Sequence, residues 1–216
     1  MYAVVYKNRV IVGPMDWNRA IFQGSLEKEK VSQTLPRVAP DDLPYTVNED
    51  AKIMLVEEQR PAMNPMVEYY YGPLWEITET RAIANYEVHD SPIEAARINF
   101  KTQAADERWR REIKGTKAAV QGTEVTIDTS RDGRNIFIQK LALMSDTDTV
   151  NWKFPEGWLT LSKQDLSGVV TAGANYIQGC FDWEKTINDQ IDSATTKEEL
   201  LAIEIIAPTL QQPNMA

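Results

Sequence analysis

The chain has 216 residues, of which 43% are hydrophobic and 25% charged, a balance that excludes a disordered polypeptide and fits one domain with an appendage or two small domains. Its net charge of −9 at pH 7 excludes a nucleic-acid binder, because a protein that neutralises phosphates carries a surplus of Lys and Arg on some surface. One cysteine excludes an intrachain disulfide and a multi-cysteine metal site.

MYAVVYKNRVIV lacks a basic leader, an uninterrupted apolar run and a small-residue cleavage site, so synthesis in a reducing cytoplasm, without export or membrane insertion, is expected. Tyr2 to Tyr6 and Arg9 to Val12 are β-branched runs around Lys7-Asn8, which predicts a hairpin with a two-residue turn. Asp16 can cap a short helical turn from Trp17 to Phe22, broken at Gln23-Gly24. LPRVAPDDLP, residues 35–44, predicts an extended arm. Strands are expected over Lys52 to Glu57, Val67 to Tyr71 and Leu74 to Thr78, with Gly72-Pro73 as the turn between the last two. Such a sheet is short of helices to cover it; a partner surface could complete it, or it could form an independent small β domain.

Ser91-Pro92-Ile93-Glu94 reads as a capping box that starts a helix running to about Lys114, burying Ile93, Ala96, Phe100, Ala105, Trp109 and Ile113. A strand over Thr123 to Ile127 follows, then a helix over Arg134 to Met144 with Phe137, Leu141 and Met144 on one side. Asn151 to Phe154 and Trp158 to Leu161 predict a hairpin whose Trp152 and Trp158 are buried. Ser162 and Asp165 cap the last long helix, along which Leu166, Val170, Gly173, Ile177, Cys180, Glu184, Ile187 and Ile191 recur every three and four residues. Two readings of that seam stay open: core packing, or a contact between protomers. Thr196 and Glu199 cap a final helix whose Leu200, Leu201 and Ile203 could fold back on it.

The fold class expected is α+β. A β-rich region with a proline-punctuated arm covers 1–90 and a linking helix 91–115. A small domain of short hairpins and amphipathic helices, ending in a helical pair, covers 116–207, and a tail 208–216.

No catalytic, cofactor or metal residues are expected. His89 stands at a strand-to-helix junction with no Ser or Cys nucleophile motif nearby, and Cys180 sits on the apolar seam as a small core residue. Asp128, Ser130, Asp132 and Gly133 imitate half a calcium loop, but Gln139 stands where the bidentate Glu is needed, which leaves strand-end and helix-cap duty. Asp146 and Asp148 read as a solvated loop. Tyr69, Tyr70, Tyr71 and Trp75 form an aromatic cluster in which alternation puts Tyr70 opposite Tyr69 and Tyr71. The interface candidates are Tyr69, Tyr71 and Trp75, together with Leu166, Val170, Ile177, Ile187 and Ile191 of the seam.

RWRREIKGTKAAV, TEVTIDTSRDGRNI, VNWKF, LTLSKQDL and INDQIDSATTKEELLAIEI occur in that order from about Arg108 to Ile206. This series resembles a small domain of unknown function that recurs in structural, tail-associated and tail-fibre-associated proteins of tailed bacteriophages. Asp128, Ser130, Arg134, Asn135, Ile136, Trp152 and the Ile191 to Leu200 segment carry most of the likeness; RWRRE stands where the family pattern has a longer, alanine-rich helix. The resemblance implies a non-enzymatic virion component near the tail, baseplate or fibre attachment, made in the host cytoplasm. Its expected partners are other virion proteins and copies of itself, with neither nucleic acid nor membrane. A tail-fibre assembly chaperone is the alternative it leaves, and a glycan-acting hydrolase a remote one.

Overall fold

The computed structural model describes residues 1–206 and divides after Ser91 into two units; the tail expected over 208–216 lies outside the described residues. Both units mix helices and strands, so the fold is α+β, strand-rich in the first half and built of short hairpins and helices in the second.

In the first unit, β1 (Tyr2–Tyr6) and β2 (Arg9–Met15) pair antiparallel around Lys7 and Asn8, whose φ values of 48° and 56° suit a tight hairpin turn. The helix that follows differs from expectation. α1 (Arg19–Lys28) is capped by Asn18, whose side chain accepts from the Ile21 N–H, and it passes through Gly24 without breaking. Phe22 and Leu26, one turn apart and both fully buried, hold it, and their burial outweighs the roughly 1 kcal/mol that an interior glycine costs.

β3 (Tyr45–Thr46), β4 (Ala51–Gln59), β5 (Glu68–Ile77) and β6 (Arg81–Asp90) complete a curled sheet of order β2-β1-β4-β6-β5, with β3 beside β4. β4 and β6 are parallel, and the other neighbours are antiparallel. The proline-rich stretch is no free arm at its start. Leu35 is buried, its N–H donates to Gln23 Oε1 and its carbonyl accepts from Arg19 Nε. With Val31, Phe22 and Leu26 it covers Val4 and Ile53 on one face of the sheet. Ala3, Val5, Met54, Val56, Ala82 and Ala84 form a second cluster on the reverse face, with Trp75, Ile77 and Tyr86 against it. Glu68–Ile77 is one strand where two were expected, because Gly72-Pro73 makes a bulge within β5 in place of a turn.

The second unit comprises α2 (Ile93–Glu112), the hairpin β7 (Thr116–Val120) and β8 (Thr123–Ile127), α3 (Arg131–Ala142), the hairpin β9 (Thr149–Phe154) and β10 (Gly157–Ser162), α4 (Lys163–Ser193) and α5 (Lys197–Leu201). Val125, Ile127, Phe137, Phe154, Leu161, Leu166 and Val169 make its core. α2 is not a linking helix: it lies antiparallel along α4, with Arg97 donating to the Ala194 carbonyl, Lys101 paired with Asp192 and Arg108 with Glu184. The Ser91 capping box does not form either. Pro92 is the N-cap residue without a side-chain bond, while the Ser91 N–H donates to the Val67 carbonyl. The buried stripe of α2 runs Ala96, Phe100, Ala104 and Glu112, leaving Trp109 and Ile113 exposed.

Trp158 also departs from expectation. The β9/β10 register opposes Trp158 to Lys153 and Leu159 to Trp152, so the two tryptophans face opposite ways. Trp152 stacks on Phe137 at 4.5 Å, whereas Trp158 stays 67% exposed. Both later capping boxes form, Ser162 with Asp165 and Thr196 with Glu199. The α4 seam is core of its own chain: Leu166, Gly173, Ile177, Cys180, Ile187 and Ile191 are buried, with Val169 rather than Val170 next to Leu166. Leu166, Ile177, Ile187 and Ile191 are thus covered intramolecularly and offer no surface to another protomer. Leu200 alone of the α5 leucines is buried, and Leu201 faces outward.

Candidate functional site: the tyrosine face of an edge strand

β5 ends the strand order of the first-unit sheet, with β6 as its one strand neighbour among the described residues. In the antiparallel register Tyr69 opposes His89 and Tyr71 opposes Glu87. Opposed residues share a face, so both tyrosines flank the imidazole, with ring centroids 5.9 Å and 5.0 Å from it. His89 Nε2 stands 3.1 Å from Glu87 Oε2. The histidine is therefore part of strand β6 and of this face, next to the strand-to-helix junction expected for it.

Alternation puts Tyr70 on the reverse side, as expected. Its hydroxyl donates to the Pro61 carbonyl at 2.7 Å, its ring lies 5.7 Å from Tyr86, and the Arg60 guanidinium sits over Tyr86 at 4.4 Å. Beyond the bulge the register slips by one residue, so that Leu74 opposes Asn85 and Trp75 opposes Ala84. That slip turns Trp75 to the side of Tyr70, against Ala82 and Ala84, and turns Leu74 to the side of Tyr71. Of the three aromatic interface candidates, Tyr69 and Tyr71 share an open face, 44% and 51% exposed, with Leu74 at 42%; Trp75 is half-buried on the other. Leu74 and Glu87 were missed in sequence, and His89 was weighed only as a base and not as part of this face. The two-residue period of NYEVHD, combined with a one-residue bulge at Gly72-Pro73, was the signal that could have found them.

The second unit holds a polar cluster of a different kind. Glu112, 4% exposed, pairs with Arg108 and, at 2.8 Å, with Arg134, while Arg108 reaches Glu184 at 2.7 Å. Thr129 donates its hydroxyl proton to the Glu112 carbonyl at 2.6 Å and accepts from the Gly115 N–H at 3.0 Å. Tyr176 donates to the Arg111 carbonyl. Every charge here is spent on another element of the same unit, so the cluster locks α2 to α3 and α4.

The remaining sequence candidates act locally. Asp128 Oδ1 accepts from the Ser130 N–H and Ser130 Oγ from the Gly133 N–H, which is turn and cap geometry. Burial pushes the Cys180 thiol above its ordinary range, away from thiolate chemistry. Lys163 beside Asp146, and the Ser145 N–H beside Asp148, hold those carboxyls below theirs. Among the described residues no group of three or more His, Cys, Asp or Glu side chains could hold a metal ion, and no helix is long and apolar enough to cross a membrane.

No curated protein and no solved structure matches the chain. A family described as a domain of unknown function (DUF4376) matches residues 95–207, beginning inside α2 and taking in both hairpins, α3, α4 and α5. That span covers a little over half of the chain and contains the whole Glu112 cluster: the protein belongs to the DUF4376 family.

Proposed function

We propose that the chain is a non-enzymatic structural component of a tailed-phage virion, sited in the tail, baseplate or fibre-attachment region, and that it assembles through protein–protein contacts. The observation that carries the assembly part is the open face of β5, where Tyr69, Tyr71 and Leu74 stand exposed on an edge strand. Exposed aromatics beside an unpaired strand edge suit docking by strand addition and apolar burial. The phage setting rests on the resemblance of residues 108–206 to tail-associated proteins. In this reading the DUF4376 unit is a scaffold, the ionic side chains of its Glu112 cluster committed internally, and the first unit makes the contact.

Quantitative mass spectrometry of salt-washed particles tests the assignment. A structural component stays at fixed stoichiometry through the washes. A tail-fibre assembly chaperone is present in the infected-cell lysate and lost from washed particles, and that outcome would replace the reading.

A further inference from the structure

We propose that the Tyr69, Tyr71 and His89 face, together with the open edge of β5, takes up an extended, arginine-bearing segment of a neighbouring protein. The proposal deepens the assembly reading above by naming the chemistry of the partner. Three observations converge on it. The first is the strand edge, whose backbone can pair with an incoming chain around Tyr70; before it the Glu68 N–H already donates to the Asn64 carbonyl at 2.9 Å, and beyond Gly72, Pro73 has no N–H to offer.

The second is charge. Glu76 and Glu87 stand on the tyrosine face, while Glu57 on the same face is balanced by Arg81 at 2.6 Å. Glu76 makes no ion pair among the described residues, and Glu87 has His89 as its neighbour. An acidic aromatic surface favours a basic occupant and repels an acidic one.

The third is that the reverse side of the same strands already binds a guanidinium. Arg60 lies 4.4 Å over Tyr86 and 5.5 Å from Tyr70, and donates to Glu58 at 3.0 Å, pairing an aromatic face with a carboxylate. Tyr71 opposite Glu87 repeats that combination, with the His89 imidazole 5.0 Å from its ring and, among the described residues, no arginine over it.

The test uses the full chain and two fluorescein-labelled probes, a short peptide alternating threonine with arginine and its counterpart alternating threonine with glutamate. Fluorescence anisotropy is expected to show binding of the arginine peptide alone, weakened by salt. Tyr71→Ser and Glu87→Gln should each raise its Kd by about tenfold, and Trp158→Ser, in the other unit, should leave it unchanged. Hydrogen exchange on the complex should slow around Tyr70. Circular dichroism checks that Tyr71→Ser, a change at an exposed position, remains folded. No binding of the arginine peptide, equal binding of the glutamate peptide, unchanged affinity in both β5/β6 variants, or protection elsewhere each overturns the proposal. Particle retention of the wild-type chain is scored separately: its loss with the peptide pattern intact removes the virion reading alone, and its persistence without that pattern removes this surface alone.

Discussion

Glu112 shows how a single residue can be central to a structure without taking part in chemistry. Its carboxylate is buried between Arg108 and Arg134, so truncation leaves Arg134 without its carboxylate and Arg108 with Glu184 alone. Glu112→Ala is expected to cost roughly 3–5 kcal/mol in urea unfolding, whereas joint replacement of Arg108, Glu112, Arg134 and Glu184 by apolar residues of similar volume should cost far less. Equal losses in the two proteins would show that packing, not the uncompensated charge, sets the penalty. Gly133 is a second such position. A Cβ there would stand 2.4 Å from Asp128 Cγ and 2.8 Å from its Cβ, so the Asp128 side chain must swing away and release the Ser130 N–H. Gly133→Ala should therefore destabilise by about 1–3 kcal/mol, read from the same denaturation midpoints.

At the scale of elements, α4 and α5 both start on reciprocal capping boxes, and their carboxylates carry a pH signature. Hydrogen bonds from Ser162 and Gln121 hold Asp165 below its ordinary 3.8, and bonds from the Thr195 and Thr196 backbone hold Glu199 below 4.5. A depressed folded-state value means that these bonds contribute fully above the ordinary value and are lost as pH falls through the depressed one. Unfolding midpoints measured downward from about pH 5 should fall, and less steeply in a Ser162→Ala, Thr195→Ala double variant, which removes a side-chain hydrogen bond from each carboxylate and is itself weaker at neutral pH by about 1 kcal/mol for the lost Ser162 cap. Identical slopes would deny the caps this role. The body of α4 answers to burial instead. Ile177→Asp and Ile187→Asp each place a charge in the core under α4, at about 2–5 kcal/mol, and should unfold the second unit rather than yield folded monomers. Circular dichroism with size-exclusion chromatography separates those outcomes.

For the whole molecule, the division after Ser91 falls between a sheet closed by α1 and a helical unit with its own core. A fragment beginning at Pro92 is expected to fold alone, with a cooperative melt and the helical dichroism of α2 and α4. A molten or aggregated fragment would show that the family domain needs the first ninety residues. Much of this layout was legible in the chain. The first hairpin, the strand Thr123–Ile127, the tryptophan hairpin, the α4 seam and two capping boxes are each announced by residues within a few positions of one another. The less legible parts were β6, with alanines at 82 and 84 where larger apolar residues would mark a strand, and β7, whose TKAAV carries no strong period.

The amino-acid order by itself determined the local events: where turns need positive φ, where helices cap and which residues repeat at helical spacing. The folded structure alone decided what each stripe faces. Whether Leu166 to Ile191 meets α2 or another molecule depends on what the rest of the chain brings to it. The side on which Trp75 emerges depends on one extra residue in the β5 ladder. Arg108 and Glu112 of RWRRE cover a neighbour rather than meet water because Glu184 and Arg134, far away along the chain, arrive as their partners. Long-range pairing carries that information, and no short window of sequence contains it.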